Sequence, residues 1–272
     1  MFTYINPEVR KRLVARGKLV RINRLGQKIS IDDAPLEGEI AINVLGPIPL
    51  PISLDDHQMH VQWYATVRSS ELAQVEGLAR TLSEQGRQTA FAELASALAV
   101  NSVLVSGNLE KMESPLVRVH SSCLTGDVFG SQRCECGPQF VSALRKITDS
   151  EQGGMLIYMS GHEGRGIGLW AKAATYLLQD DGEDTYQANE SLGLPADSRD
   201  FSDAAALLNY FVPDKPIRLL TNNPKKVNDL MQLGIKDISA EKHVVGIGDW
   251  NRRYLAEKKD WGHQFDPDDI KL

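Results

Sequence analysis

The spacing of the cysteines constrains this chain more than any other feature. All three, Cys123, Cys134 and Cys136, fall in one C-x10-C-x-C window. Free cysteine often serves as a small buried hydrophobe, but thiols this closely spaced read more naturally as a metal site. Thiolates are soft ligands, and a sulfur-based tetrahedral set suits zinc. Three of them leave one coordination position open to water, which a zinc ion ionises near neutral pH. His120, three residues before Cys123, either closes that position and makes the site structural or hydrogen-bonds beside the metal. The surrounding Arg118, Ser121, Thr125, Arg133 and Gln139 favour the open site, because a structural knuckle needs no such array of substrate-binding groups.

The 272 residues allow one large domain or two modest ones, and 42% apolar with 24% charged residues describes an ordinary globular chain. Its opening has no apolar signal core, and no apolar run reaches spanning length. With reduced thiols, these features lead to the expectation of a cytoplasmic protein with no membrane partner. A net charge of −6 and a pI of about 5.6 argue against a nucleic-acid binder. They leave room for a small anionic substrate, since the local field of a cleft outweighs the total charge.

Residues 1–60 read as a helix or arm followed by short strands and loops, the segment running into the proline-bearing LGPIPLPISL. HVQWYATV predicts a strand, and ELAQVEGLARTLSEQGRQTAFAELASAL a helix broken near Gly86. SVLVSG and PLVRVHS predict two strands, the second ending at the cysteine window, and PQFVSALRKITDSEQ a helix. MLIYM, SGHEGRGIG and LWAKAATYLLQD predict a strand, a glycine-rich loop and a helix. Such a loop is often a plain turn, yet it also lets backbone amides approach an anion, and Glu163 and Arg165 within it can read a base edge or a phosphate. Residues 185–206 look turn-rich, followed by a helical run to Phe211. Asp197 and Arg199 sit two apart, so an extended backbone turns both to one side, as a surface ion pair or as a functional couple. IRLL, then NPKKVNDLMQ, predict a strand and a helix whose start gathers Thr221, Lys225 and Lys226 for an anion. KDISAEKHVVG predicts a strand, and NRRYLAEKKDWGHQF a charged terminal helix. The expected fold class is α/β, with mixed sheets and packed helices.

Four ordered blocks, VRVHSSCLTGDVFGSQRCECGPQ, EGRGIGL, LPADSRDF and RLLTNNPKKV, resemble the GTP cyclohydrolase II family. The resemblance covers about residues 115–263. It implies one zinc ion per subunit on Cys123, Cys134 and Cys136, and hydrolysis of the GTP imidazole ring at carbon 8 with release of formate and pyrophosphate. It implies catalytic roles for Asp197 (proton acceptor), Arg199 (at the α-phosphate) and Tyr176. Nucleotide-binding roles pass to Arg118, His120, Ser121, Gln139, Glu163, Gly164, Arg165, Thr185, Thr221 and Lys226. Magnesium on the substrate phosphates and a homodimer follow from the same likeness. Residues 1–60 then form an N-terminal extension, and residues 61–272 the cyclohydrolase domain.

The chain departs from the family pattern in two places. Ser122 stands where the family has Glu, and Met159, Ser160, Gly161 and His162 make the approach to Glu163 one residue longer and remove an arginine. A carboxylate reads the N–H groups of guanine well. Its loss admits a second reading, hydrolysis of a uracil nucleotide in pyrimidine breakdown. A third reading, from another class, is a non-catalytic zinc-stabilised nucleotide-binding protein. The presence of Asp197 and Arg199 speaks against it.

Overall fold

A computed structural model describes residues 5–33, 38–54, 57–72, 99–266 and 268–269. The helix expected over 71–98 lies outside the described residues beyond residue 72. The remainder is α/β, as expected. A helix α1 (Pro7–Ala15) leads into strands β1 (Leu19–Asn23) and β2 (Lys28–Ile29), then a long hairpin of β3 (Ala41–Leu54) and β4 (His57–Arg68). Strands β5 (Asn101–Ser106), β6 (Leu116–Ser121) and β7 (Gly154–Met159) follow, with the short helix α2 (Leu124–Asp127) and α3 (Cys136–Asp149) between β6 and β7. A kinked 3-10 turn (Ser160–Gly166) precedes α4 (Leu169–Asp180), α5 (Thr185–Ser191) and α6 (Ser202–Phe211). The chain continues through β8 (Ile217–Leu220), α7 (Pro224–Gln232), β9 (Ile238–Glu241) and α8 (Arg252–Asp260). Among the described residues no helix is long and apolar enough to cross a membrane.

Among the described residues, nine strands join one sheet in the order β2-β1-β3-β4-β5-β7-β6-β8-β9. The first half is antiparallel, whereas β7, β6, β8 and β9 run parallel. Side chains in a strand alternate between faces, and here the alternation sorts the core cleanly. Val103, Val105, Val117, Val119, Met155 and Ile157 pack with α6 on one face. Leu104, Leu116, Leu156 and Leu220 pack with Ala143, Leu144 and Ile147 of α3 on the other. Strands buried on both sides explain the near-continuous apolar runs in the sequence.

One expectation is sharpened and one fails locally. The proline-bearing LGPIPLPISL, in a segment read only as short strands and loops, lies wholly in the long strand β3. Up to Leu45, β3 is flanked by both β1 and β4, but from Ile48 onward it pairs only with β4. Pro49 and Pro51 stand two apart in this part, so their missing N–H groups face the same unpaired edge, where a proline costs no ladder bond, and Pro47 falls in the register shift between Leu45 and Ile48. The turn-rich stretch after Asp184 begins with a helix, α5. Asp184 accepts from the N–H groups of Tyr186 and Gln187 at 2.8 Å each, and Gln187 answers the Asp184 N–H at 3.4 Å, a capping box the polar composition concealed.

At Gly154 a Cβ would lie 2.1 Å from the Leu116 carbonyl oxygen, on the parallel β6–β7 pair. Gly154→Ala is therefore expected to cost roughly 1–3 kcal/mol. A urea unfolding midpoint equal to wild type would contradict this pairing.

Candidate active site

The loops after β6, β7 and β8 meet at the carboxyl ends of these parallel strands, where α/β sheets bind ligands. The connection from β6 to α3 carries the cysteines. Its fold is compressed: a Cβ at Gly137 would meet the Gly126 carbonyl oxygen at 2.3 Å, and one at Gly126 would meet Cys134 Sγ at 3.0 Å and Cys123 Sγ at 3.2 Å. Only glycine lets the loop close around the sulfurs.

The three Sγ atoms lie within 4.8 Å of one another, with Cys123 and Cys134 3.6 Å apart. Ligands about 2.3 Å from a tetrahedral ion stand near 3.7 Å from each other, so the trio fits a metal ion. His120 does not join it. Its Nε2 lies 3.0 and 3.1 Å from the two Asp127 carboxylate oxygens, and its ring stacks on Tyr158. Asp127 also accepts from the Tyr158 hydroxyl at 2.9 Å and the Cys123 N–H at 3.0 Å, so His120 and Tyr158 brace the loop through one carboxylate.

Lys172 of α4 reaches in from the other side. Its ammonium donates to Cys123 Sγ at 3.1 Å and to Glu163 Oε1 at 2.6 Å, while Glu163 Oε2 accepts the Leu124 N–H at 2.7 Å. Hydrogen bonds from Cys134 and Cys136, then the Lys172 charge, drive the Cys123 thiol strongly toward thiolate. One turn along α4, the Tyr176 hydroxyl lies 3.0 Å from Thr125 Oγ1, and Arg133 lies 4.5 Å over its ring.

The glycine-rich loop holds Gly164 and Arg165 at positive φ (60° and 64°). A Cβ at Gly166 would lie 2.7 Å from Ser198 Oγ, and the Ser198 N–H donates to the Arg165 carbonyl at 3.0 Å. These glycines thus dock the loop on the segment carrying Asp197 and Arg199. Arg199 Nε donates to Asp197 Oδ1 at 2.9 Å, its Nη2 takes Oδ2, and Arg165 stands 3.6 Å away. The couple is not a surface pair, for its side chains are 18% and 12% exposed. Although burial opposes it, the Arg199 bonds hold the Asp197 carboxyl down at about 2.

A single cleft is lined by the cysteines, by Tyr176 and Arg199, and by every residue marked for nucleotide binding; Asp197 stands behind Arg199. Several of these groups already have protein partners. Arg118 donates to the Leu220 carbonyl at 2.8 Å and to Gln139 Oε1 at 2.7 Å, and burial lowers its guanidinium to about 10. Lys226 Nζ donates to the Val119 carbonyl at 2.7 Å, and burial lowers it well below the ordinary lysine value. Thr185 donates its hydroxyl to Glu257 at 2.9 Å, and Thr221 Oγ1 accepts the Asn223 N–H at 3.1 Å. Ser121 lies 3.2 Å from His162 Nδ1, and burial brings that imidazole down to about 4. Ser122 turns its hydroxyl onto the Ser160 carbonyl at 2.9 Å.

Sequence reasoning missed Lys172, Tyr254, Lys258 and His263, which also line the cleft. Lys172 had a signal, standing four residues before Tyr176 on one helical face. The other three had none, since a charged helix reads as solvated.

Two outcomes follow. Lys172→Met removes the outer partner of a candidate ligand and should weaken metal binding roughly 10–100-fold, measured by metal content after dialysis against a competing chelator. Asp197, depressed in the folded state, contributes stability that is present above about pH 4 and lost as pH falls toward 2. The stability gap between wild type and Asp197→Asn should therefore narrow by about 2 kcal/mol across that interval; a gap independent of pH would refute the pairing.

Residues 79–241 match the family model described as GTP cyclohydrolase II. Among curated proteins, the chain is 48% identical over 163 residues to the riboflavin biosynthesis protein RibBA of Nocardia farcinica, covering 60% of this chain and 39% of that one. It is 46% identical over 166 residues to the monofunctional riboflavin biosynthesis protein RIBA 3, chloroplastic, of Arabidopsis thaliana (61% and 32%). It is 45% identical over 163 residues to the probable bifunctional riboflavin biosynthesis protein RIBA 2, chloroplastic, of Oryza sativa subsp. japonica (60% and 29%). The matched region thus spans about a third of the length of these relatives. With 163 of its residues covered by the family model, the chain belongs to the GTP cyclohydrolase II family.

Proposed function

We propose that this chain is a zinc-dependent hydrolase that opens the imidazole ring of GTP at carbon 8, releasing formate and pyrophosphate and leaving a diaminopyrimidine ribosyl phosphate. The observation that carries the reading is a sulfur-only metal set and buried guanidinium and ammonium groups on the walls of one cleft. Ring hydrolysis of a nucleotide needs both within a nucleotide's length of each other.

A zinc ion on Cys123, Cys134 and Cys136 supplies a Lewis acid and a water-derived nucleophile at neutral pH. The chain's own residues do the rest. Arg165, Arg199 and Lys226 hold the phosphates, with magnesium accompanying them. Asp197 is too weakly basic while Arg199 grips it. When Arg199 turns to the α-phosphate, that grip loosens and the carboxylate becomes a competent proton acceptor. Tyr176 hands a proton to ring nitrogen in this reading, a role supported by its hydroxyl lying beside Thr125 of the metal loop. The division into an extension (1–60) and a cyclohydrolase domain (61–272) belongs to the same proposal; the family match begins at residue 79, and the extension shares its sheet with the domain through the β3–β4 hairpin. A homodimer is supported by exposed apolar side chains on the metal loop and α4, Phe129 at 70% and Trp170 at 91%. Three unpaired thiols agree with a cytoplasmic setting.

One observation favours a second base. With the Ser122 hydroxyl engaged by the Ser160 carbonyl, that position offers guanine no carboxylate. A uracil nucleotide asks for fewer acceptors. Incubation with GTP, UTP and UMP separates the two: formate from GTP is expected, whereas loss of the uracil absorbance without formate from GTP would transfer the activity. Tyr176→Phe should lower kcat on the productive substrate by about 100-fold or more, with metal content unchanged; full turnover would remove that hydroxyl from the mechanism.

A further inference from the structure

The family match ends at residue 241, yet Tyr254, Lys258, His263 and Phe265 all line the cleft. The segment that carries them is fastened across the pocket at several points. Glu257 accepts both the N–H and the hydroxyl of Thr185, at 3.1 and 2.9 Å. Trp261 stacks on Tyr186 with ring centroids 3.7 Å apart, and the Arg165 guanidinium lies 4.0 Å from the centre of the same tyrosine ring. The Gln264 N–H donates to the Asn222 carbonyl at 2.8 Å. Lys258, its side chain 13% exposed, bonds Glu135, the residue between two of the cysteines.

These anchors bring one imidazole and one ammonium into a corner that is already cationic. His263 faces Lys258, Arg165, Arg199 and Lys226, and its Nδ1 is a buried atom with no protein partner. Asp197 answers Arg165 and Arg199, and Glu135 answers Lys258, whereas Lys226 donates to the Val119 carbonyl, lies over the Phe201 ring and makes no ion pair among the described residues. Like charges gathered out of water repel unless an anion joins them. Burial and the same cations hold the imidazole neutral, at about 3, so its open nitrogen can receive a proton as negative charge arrives. The Lys258 ammonium has three N–H donors, and Glu135 does not use them all.

We propose that residues 252–265 form the anion-side wall of the pocket, with His263 and Lys258 contacting the phosphate groups of the ligand. The inference rests on the nucleotide reading above only for the identity of that ligand; the anion site stands on the geometry of the corner. A chain cut to the family-matched region would lack both groups.

The test is calorimetric titration of the metal-loaded full chain with inorganic tripolyphosphate, which carries the charge but no base. His263→Gln is expected to weaken binding about tenfold, the worth of one charge-assisted hydrogen bond. Lys258→Gln should do the same, but it strands the buried Glu135 charge, so the double variant Glu135→Gln/Lys258→Gln is measured beside it. A merely structural Lys258 would be rescued in that pair, where the two neutral amides can bond each other; a phosphate contact would not. Lys236→Ala, which removes an exposed charge far from the cleft, should leave the affinity unchanged. Metal content and thermal midpoint accompany each variant. The proposal is overturned if wild type fails to bind tripolyphosphate, or if His263→Gln and the double variant both bind within twofold of wild type. Binding that depends on His263 in a protein yielding no formate from GTP would retire the ring-opening reading and keep this one. Formate from GTP with unaltered tripolyphosphate affinity would do the reverse.

Discussion

Everything at the cleft depends on the parallel pairing of β6 with β7 on one side and β8 on the other. In the β6–β7 register Ser121 stands opposite Met159, so the loop bearing the cysteines and the glycine-rich loop leave the sheet at the same level. The Ser122 N–H extends the ladder by one more bond, to the Met159 carbonyl at 3.1 Å. β8 ends beside them and delivers Thr221 and the start of α7. Slip that register by one residue and every side chain on β6 changes face. Arg118 and His120, now on the cleft side, would then enter the core beneath α6.

The second constraint is that the metal loop has little regular structure of its own, so its shape is imposed by buried charge. Asp127 gathers His120, Tyr158 and the Cys123 N–H; Glu163 gathers Lys172 and the Leu124 N–H. Each carboxylate spans two elements, and each is satisfied by more than one donor, which makes a buried charge tolerable. Glu163 lines the cleft, and its two oxygens also tie the loop to α4, one on Lys172 and one on the Leu124 N–H.

Much of this was legible in advance because it is local. The cysteine spacing marked the metal set, and period-2 and helical apolar patterns located β5 to β8, α3, α4 and α7. The sequence was least informative, or misleading, where local signals were overruled. Prolines at alternate positions look like a break, but an edge with no partner on one side accepts them, and that edge exists only once β1 stops short. α5 is too brief and polar for periodicity to detect, and it is held by its cap and by Tyr186 packed on a tryptophan far along the chain. The charged helix α8 looks like a solvated face, yet Leu255 is fully buried and Lys258 points inward, because Glu135 provides a partner.

By itself, the sequence determined the chemistry that is available: three thiols near enough in the chain to share an ion, and acids and bases in an order that matches a family. These depend on residue identity and on separations of a few positions, over which backbone geometry is predictable. Only the tertiary structure decided which of those groups face one another. It withdrew His120 from the metal set by giving it Asp127, set Asp197 behind Arg199, and carried His263 to a corner built by residues far from it in the chain. Such choices follow from the burial of charge, whose cost depends on every neighbour in space and on none that spacing alone can name.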